Sequence, residues 1–204
     1  MKKIFVCLLF FVSATQADNT IYIDQVGNNN QITITQNYSN NSVSGNEQQD
    51  ASIHGHSNVI TISQGDNNQT KLDILGDFNS INLTQTSNHV IETTMNGNNN
   101  TLNFTQLNSA SKSIIANVSG SFNSVDATQQ GTGNHSLNLT VSGNNHTVTT
   151  NQKDSGSHTA NINLTNAGGA ATVNLTQQGL VNQLYNFTQI CSNPSGCTTT
   201  VVQQ

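Results

Sequence analysis

One short pattern recurs along this chain: a polar residue, apolar residues two and four positions later, and Gln six positions later. Allowing changed residues in the later copies, it fits nine times, starting at Asn19, Asn30, Asn58, Asn79, Asn100, Asn123, His146, Ala171 and Gln183. Weaker copies that end in Gly lie between several of these, and from Asn58 to His146 successive starts are ten to twelve residues apart. Repeats of one short unit favour a stacked architecture over a single irregular core.

The alternation within each copy predicts a β-strand, because successive side chains of a strand point to opposite faces. Segments such as Gly-Asn-Asn-Asn at 27–30 and 97–100 follow these strands and favour tight turns, since Gly and Asn tolerate positive φ. The inward apolar positions form the predicted core: Ile21, Ile23, Ile32, Ile34, Ile60, Ile62, Ile81, Leu83, Leu102, Phe104, Val173 and Leu175.

A single strand-turn-strand unit cannot bury its apolar face, so the units must stack. The predicted fold is an all-β, amyloid-like β-solenoid of about eight strand-turn-strand rungs, with about 22 residues in each. Neighbouring rungs lie about 4.8 Å apart, which makes a rod about 38 Å long.

Amides dominate the composition, with 34 Asn and 19 Gln against 7% charged residues. A buried amide needs partners for its donors and its acceptor, and a stack of identical amides supplies both. The residues predicted to form such ladders, or the turns and assembly contacts beside them, are Asn19, Gln25, Gly27, Asn30, Gln36, Asn58, Gln64, Asn79, Gln85, Asn100, Gln106, Asn123, Gln129, Gly131, Asn134, Gln152, Gln177, Gly179, Asn182 and Gln189.

The chain divides into three predicted parts. Residues 1–17 carry Lys2 and Lys3, a short apolar run and small residues before a cleavage point, as in a secretory signal peptide. The repeats occupy 18–189 with an irregular insertion near 38–57, and 190–204 are expected to form a C-terminal tail. The apolar run is about half the length of a membrane span, so no integral membrane segment is expected after signal removal.

Two cysteines, Cys191 and Cys197, flank a segment with Pro194 and Gly196, which favour a tight turn. In an exported protein these cysteines are expected to pair as a small disulfide loop. A metal or redox site is the alternative, although further ligands are not evident.

Charge argues against several functions. After signal removal only Lys71, Lys112 and Lys153 remain against ten acids, so we expect no nucleic-acid binding. The acids are scattered, and the pair His54 and His56 lacks an obvious third ligand. We therefore expect neither an enzyme nor a bound metal or cofactor.

The residues Asn19, Gln25, Gly27, Asn30, Ile32 and Gln36 reproduce the bacterial curlin repeat, which reads Ser or Asn, five residues, Gln-x-Gly-x-x-Asn-x-apolar, three residues, Gln. Its central part recurs at Gln129, Gly131 and Asn134, and again at Gln177, Gly179 and Asn182. The chain thus resembles a divergent curlin over most of 19–189.

This resemblance implies a secreted structural subunit that crosses the periplasm and uses an outer-membrane secretion machinery. It would self-assemble outside the cell into curli-like amyloid fibres of a biofilm matrix that serves adhesion. The expected partners are other copies of this chain and a second curlin-like subunit. Exposed edge strands would template the addition of each new copy.

The outward side of the strands keeps a second hypothesis open. Hydroxyls recur at the fifth position of the repeat, in Thr35, Ser63, Thr84, Thr105, Thr128, Thr176 and Thr188. A monomeric, capped β-solenoid could use such a face as an adhesin or to bind ice or glycans. Threonine also simply suits strands.

Overall fold

Inward apolar and outward polar positions alternate along almost the whole chain, and the computed structural model turns this alternation into stacked parallel strands. It describes residues 18–45, 50–166 and 168–204, so the predicted signal peptide at 1–17 lies outside the described residues. The strands are, in chain order, β1 (Thr20–Ile21), β2 (Ile23–Val26), β3 (Gln31–Gln36), β4 (Ser42–Ser44), β5 (Ala51–His54), β6 (Val59–Asp66), β7 (Gln69–Leu75), β8 (Ser80–Ser87), β9 (His89–Asn96), β10 (Thr101–Gln106), β11 (Lys112–Ser119), β12 (Ser124–Gln129), β13 (Ser136–Ser142), β14 (Thr147–Gln152), β15 (Thr159–Asn166), β16 (Ala171–Gln177), β17 (Leu184–Cys191) and β18 (Cys197–Gln203).

Two parallel sheets face each other. The first sheet has the order β1-β4-β7-β9-β11-β13-β15-β17, with β2 paired to β5 and β5 to β7, and the second sheet has the order β3-β6-β8-β10-β12-β14-β16-β18. Each rung therefore contributes to the first sheet, turns a corner and contributes one strand to the second. Rung one is β1–β3, rung two is β4–β6, and rungs three to eight are the successive pairs from β7–β8 to β17–β18. The predicted β-solenoid of about eight rungs is confirmed.

The core lies between the sheets and consists of straight columns of like side chains. One column of the second sheet runs Ile32, Ile60, Ile81, Leu102, Val125, Val148 and Val173 in one parallel register. Of the predicted core residues, those of rungs two to seven and Ile32 and Ile34 of rung one are buried. Ile21 and Ile23 of rung one are only half-buried.

The predicted irregular stretch at 38–57 interrupts the first-sheet strand of rung two. Strand β4 ends at Ser44 and β5 begins at Ala51, so the first-sheet strand of rung two is divided into two parts. In rung one the same gap is the single residue Tyr22, whose N–H donates to Val43 O at 2.9 Å and whose carbonyl accepts from Ala51 N at 2.8 Å. The register therefore resumes after the insertion.

The prediction of a tail at 190–204 is wrong. Residues 197–203 form β18, which pairs with β16 and completes rung eight. Thr199, Val201 and Gln203 repeat the spacing of two residues that every second-sheet strand uses, so they continue its inward columns. The predicted disulfide joins Cys191 to Cys197 with a Cα–Cα distance of 5.7 Å, and it closes the corner between β17 and β18.

Candidate functional site

A continuous ladder of Gln side chains runs the length of the second sheet, at the last inward position of each strand. The Gln ladder comprises Gln36, Gln64, Gln85, Gln106, Gln129, Gln152, Gln177 and Gln203. Each Nε2 donates to the Oε1 of the next rung, at distances from 2.7 Å for Gln129 and Gln152 to 3.1 Å for Gln64 and Gln85. The ladder is therefore polar, with every donor pointing toward rung eight.

Each amide of this ladder also holds its own rung closed. The Nε2 of Gln129 donates to Ser113 O at 3.0 Å, and that of Gln152 donates to Ser136 O at 3.0 Å, both carbonyls belonging to the first-sheet strand of the same rung. The six interior members of the ladder are at most 2% exposed. A buried amide left without partners would cost about 1–3 kcal/mol, so the ladder is favourable only as a connected set.

A second set of amides, the Asn ladder, stands where each corner enters the second sheet. It comprises Asn30, Asn58, Asn79, Asn100 and Asn123. The Oδ1 of Asn100, for example, accepts from the backbone N–H of Asn123 at 3.0 Å, and the Nδ2 of Asn100 donates to the Gly120 carbonyl at 2.8 Å. His146 ends the series, since its N–H donates to Asn123 and its Nδ1 accepts from Ala171 N.

The predicted residue Asn19 belongs to a different column, at the entrance to the first sheet. Its Oδ1 accepts from the backbone N–H of Asn41 at 2.9 Å, and Asn41 accepts in the same way from Asn68 at 3.0 Å. The sequence analysis missed Asn41 and Asn68. The signal was an Asn directly before the first-sheet strands β1, β4 and β7, at positions that the repeat pattern used for the prediction did not include.

Two further predicted ladder residues, Gln25 and Gln189, lie outside the Gln ladder. Gln25 pairs with Ile53 and Gln189 with Leu164, so both occupy an inward column of the first sheet. The repeats that start at Asn19 and Gln183 form first-sheet strands although they have the same residue spacing as second-sheet strands, so spacing alone does not distinguish the two sheets. Conversely, Gln203 belongs to the Gln ladder and was missed because it was assigned to a tail.

The predicted turn residues also divide between the two kinds of corner. Gly27 lies at the corner that leaves the first sheet, whereas Gly131 and Gly179 lie at the corner that leaves the second. Asn134 and Asn182 are exposed and stand one position before His135 and Gln183, which occupy the entrance column. Both residues bond the exposed turns instead: Asn182 Oδ1 accepts from Ser157 N at 2.8 Å, and the backbone N–H of Asn134 donates to Ser157 Oγ at 3.1 Å.

Glycine is required at the corner that leaves the first sheet. Gly27, Gly55, Gly76, Gly97, Gly120 and Gly143 stack there with φ between 120° and 151°. A Cβ on any of the first five would lie 1.8–2.0 Å from the carbonyl oxygen of the next glycine in the column. Successive corners can approach each other this closely because the residues in this column have no side chain.

Four basic side chains replace Asn in the entrance column of the first sheet: His89, Lys112, His135 and His158, here called the basic column. All four are at most 2% exposed. Lys112 donates from Nζ to Gly131 O at 2.9 Å and to Ala110 O at 3.1 Å, and the rings of His135 and His158 stack with centroids 5.1 Å apart. Burial lowers the pKa of His89 and of His135 to about 4 and that of Lys112 to about 8.

These shifts predict a protein that loses stability in acid. The pKa of His89 and His135 is about 4 when folded and 6.5 when unfolded, so below pH 6.5 the unfolded chain binds protons that the folded chain does not. The free energy of unfolding should fall between pH 6.5 and 4, on the order of 2–3 kcal/mol for each histidine. Lys112 acts in the same direction, with stability rising as the pH increases from about 8 to 10.5.

Urea unfolding at pH 7.0, 5.5 and 4.5 measures this dependence. The double variant His89→Asn/His135→Asn should show a flatter pH dependence than the parent, since Asn occupies this column in rungs one to three. His56→Asn, at an exposed corner, is the control and should leave the slope unchanged. Equal slopes for the parent and the double variant would contradict the assignment.

Both ends of the stack are open in the described part of the chain. Tyr185, Phe187, Cys197 and Val201 of rung eight are only partly buried, as are Ile21 and Ile23 of rung one. Rung eight also carries the exposed apolar side chains Leu184, Ile190 and Val202. The disulfide closes one corner of rung eight and leaves the edges of both sheets uncovered. The end rungs are therefore the candidate functional surfaces of the molecule.

The described residues contain neither a cluster of metal ligands nor a membrane-spanning helix. Across residues 18–45, 50–166 and 168–204, no group of three or more His, Cys, Asp and Glu side chains is placed to hold a metal ion. His56 instead accepts a hydrogen bond at Nδ1 from the backbone N–H of Asn28, at 2.9 Å. The same residues contain no helix long and apolar enough to cross a membrane.

Comparisons of this chain with protein families, with characterised proteins and with solved structures find no match.

Proposed function

We propose that this protein is a secreted structural subunit that assembles head to tail, through its end rungs, into extracellular curli-like amyloid fibres. The observation that carries the proposal is that rungs one and eight expose the same columns, in the same order, that every internal pair of rungs joins. A stacked neighbour would therefore continue the solenoid, and fibres that serve a biofilm matrix and adhesion would follow. Its partners would be further copies, a second curlin-like subunit and an outer-membrane secretion machinery.

The columns of the two end rungs are complementary. If rung eight of one copy meets rung one of the next in the register of the other rungs, Gln203 stacks on Gln36 and extends the Gln ladder with its polarity preserved. Phe187 then covers Ile23, and Val201 covers Ile34. The partly buried side chains Ile23 at one end and Phe187 and Val201 at the other then become core, which favours association.

Backbone chemistry favours the same arrangement. The outer edge of a parallel sheet presents unpaired N–H and C=O groups, which template another strand. Because the surfaces at the two ends differ, the contact does not close on itself, and repeated addition gives a fibre instead of a ring.

The direct test is to purify residues 18–204 under denaturing conditions, dilute them into buffer and follow assembly by thioflavin fluorescence and electron microscopy. We expect fibres with a meridional spacing of about 4.7 Å, whose sheared fragments seed new growth. A soluble β-rich monomer that persists for days would refute the proposal.

Blocking one end should stop growth without unfolding the subunit. In Phe187→Asp a carboxylate stands in the centre of the rung-eight surface, where a docked copy would bury it. Burying an unpaired charge is costly, so elongation should fall by about two orders of magnitude or more. Small amounts of this variant should also cap wild-type fibres, which seeded elongation assays measure.

Asn186→Asp is the matched control because it adds the same charge to the same strand on its outward face. Its oxygen can still accept from Asn161 Nδ2, as Asn186 Oδ1 does at 2.7 Å. We expect near wild-type elongation. Circular dichroism checks that both variants fold. Ile23→Asp places a carboxylate on the rung-one surface and should block docking at that end. Equal elongation of Phe187→Asp and Asn186→Asp would contradict end-to-end docking.

A second candidate function rests on the outer face of the second sheet. Thr35, Ser63, Thr84, Thr105, Thr128 and Thr176 form one column, with Asn151 in rung six and Val202 in rung eight, while Thr188 lies in the first sheet. Through such a row of hydroxyls a monomeric protein could bind ice or glycans, or act as an adhesin. Binding by a monomer would survive Phe187→Asp and be lost in Thr105→Leu, which separates it from assembly.

A further inference from the structure

One inward column of the first sheet changes character at the two ends of the molecule. In rungs two to seven the column, here called the inner column, is apolar and runs Ile53, Ile74, Met95, Val118, Val141 and Leu164. In rung one it is Gln25 and in rung eight it is Gln189. Amides occupy this column only in the rungs that a neighbouring copy would touch.

The amide of Gln189 is incompletely satisfied in the isolated subunit. Its Oε1 is buried and has no hydrogen-bond partner among the described residues. The same is true of the Oε1 of Gln183, which stands on rung eight in the entrance column that Asn19 begins. A buried acceptor without a donor is unfavourable. Rung eight thus contains two amide oxygens that lack a donor, and rung one carries amides in the same two columns.

We propose that Gln25 of one copy pairs with Gln189 of the next, and that this amide pair selects a second copy of this chain in one register. The inference rests on the head-to-tail assembly proposed above. Stacking rung one on rung eight places the Gln25 amide against the Gln189 amide. The Gln189 amide then turns its Oε1, which is buried and without a donor in the free subunit, toward the Nε2 of Gln25. The same stacking also places the Asn19 backbone N–H beside the Gln183 amide. A bond from this N–H to Gln183 Oε1 would continue the direction of the bonds from Asn41 to Asn19 and from Asn68 to Asn41.

The pair discriminates because any other contact separates the two amides. A strand that docks out of register, or an unrelated edge with an aliphatic residue in the inner column, would bury each Gln against an apolar side chain. Buried polar groups specify a register when they find hydrogen-bond partners in that register alone. The interior rungs need no such pair, since the connected chain fixes their register.

The pair is tested by replacing Gln25 and Gln189 with Leu, first one at a time and then together. In Gln25→Leu every junction buries Leu against Gln189, and in Gln189→Leu every junction buries Gln25 against Leu. We expect seeded elongation to slow roughly tenfold to hundredfold in each single variant. The double variant Gln25→Leu/Gln189→Leu makes an apolar pair, so its elongation on its own seeds should return close to the wild-type rate.

Cross-seeding gives the readout that a general loss of stability would not produce. Wild-type monomers should add to seeds of the double variant roughly tenfold more slowly than to wild-type seeds, and the reverse combination should be slow as well. Gln31→Leu, an exposed outward residue of rung one, is the matched control and should elongate like wild type. Urea unfolding of the monomers verifies that each variant folds.

The two proposals fail in different ways. Absence of wild-type fibres would refute head-to-tail assembly itself. Wild-type fibres together with normal elongation of the single variants, or a double variant as slow as the singles, would refute the Gln25–Gln189 pair alone.

Discussion

Gly120→Ala is expected to prevent the solenoid from folding as a cooperative unit. Gly120 has φ of 120°, and an added Cβ would lie 1.9 Å from the carbonyl oxygen of Gly143 in the next rung. That carbonyl accepts from Asn123 Nδ2 at 2.8 Å, and the Gly143 N–H donates to Ser119 O at 2.8 Å, so the corner cannot move away without breaking the Asn ladder. The backbone clash adds to the positive-φ strain, and we expect a loss of more than about 4 kcal/mol.

Gly179→Ala separates the two causes. Gly179 has φ of 113°, close to that of Gly120, but the nearest atom to an added Cβ is Gln204 C at 3.4 Å. This control should carry the conformational strain alone, about 1–2 kcal/mol. Thermal and urea unfolding by circular dichroism measure both variants. Similar losses in the two would mean that positive φ, and not the close stacking of corners, makes glycine necessary.

Gln106→Glu should be the most damaging isosteric change in the molecule. Gln106 Oε1 accepts from Gln85 at 3.1 Å, while its Nε2 donates to Gln129 Oε1 at 2.8 Å and to Val90 O at 3.2 Å. A carboxylate keeps the shape but turns the donor into an acceptor that faces two oxygens. A buried, unpaired charge results, and we expect a loss of about 3–5 kcal/mol at pH 7.

Protonation should partly repair this variant, which distinguishes a ladder defect from a packing defect. A carboxylic acid can donate to Gln129, so the folded state favours the protonated form and the pKa of the introduced Glu should rise above its unfolded value. The destabilisation relative to the parent should then shrink as the pH falls toward 5, each pair being compared at the same pH because the basic column also titrates.

Gln69→Glu is the matched control for the ladder. Gln69 is exposed, and only its backbone carbonyl contacts the ladder, accepting from Gln85 Nε2 at 3.3 Å. The stability of this variant should stay within about 0.5 kcal/mol of the parent. A pH-independent loss in Gln106→Glu, or an equal loss in Gln69→Glu, would contradict a connected Gln ladder.

The ladders connect the stability of one subunit to the proposed fibre. Gln36 and Gln203 are the ends of a chain of amides in which each member donates in the same direction. A docked copy would place Gln203 beside Gln36 and extend that chain across the junction. The defects introduced by Gly120→Ala and Gln106→Glu act inside a subunit, whereas Phe187→Asp and Gln25→Leu change side chains of the end rungs, where subunits would meet.

The sequence by itself determined the class of fold. Alternation with a spacing of two allows only strands, and repetition every ten to twelve residues requires stacking, because no single unit can bury its own apolar face. The same reasoning identified most of the Gln ladder, since a Gln that recurs at the end of every strand needs identical partners. These inferences rest on local spacing, which the chain carries without reference to its neighbours.

Only the tertiary structure decided which residues share a column. Gln25 and Gln36 have the same spacing from the apolar positions before them, yet one lies in the first sheet and the other in the second. Rung two keeps its register although its first-sheet strand is divided between β4 and β5, and residues 197–203 complete rung eight. Spacing along the chain fixes the inward or outward direction of a side chain, but its neighbour above or below depends on the lengths of the corners between them. Lys112 shows the consequence, because its burial beside two histidines follows from stacking and not from the residues next to it in sequence.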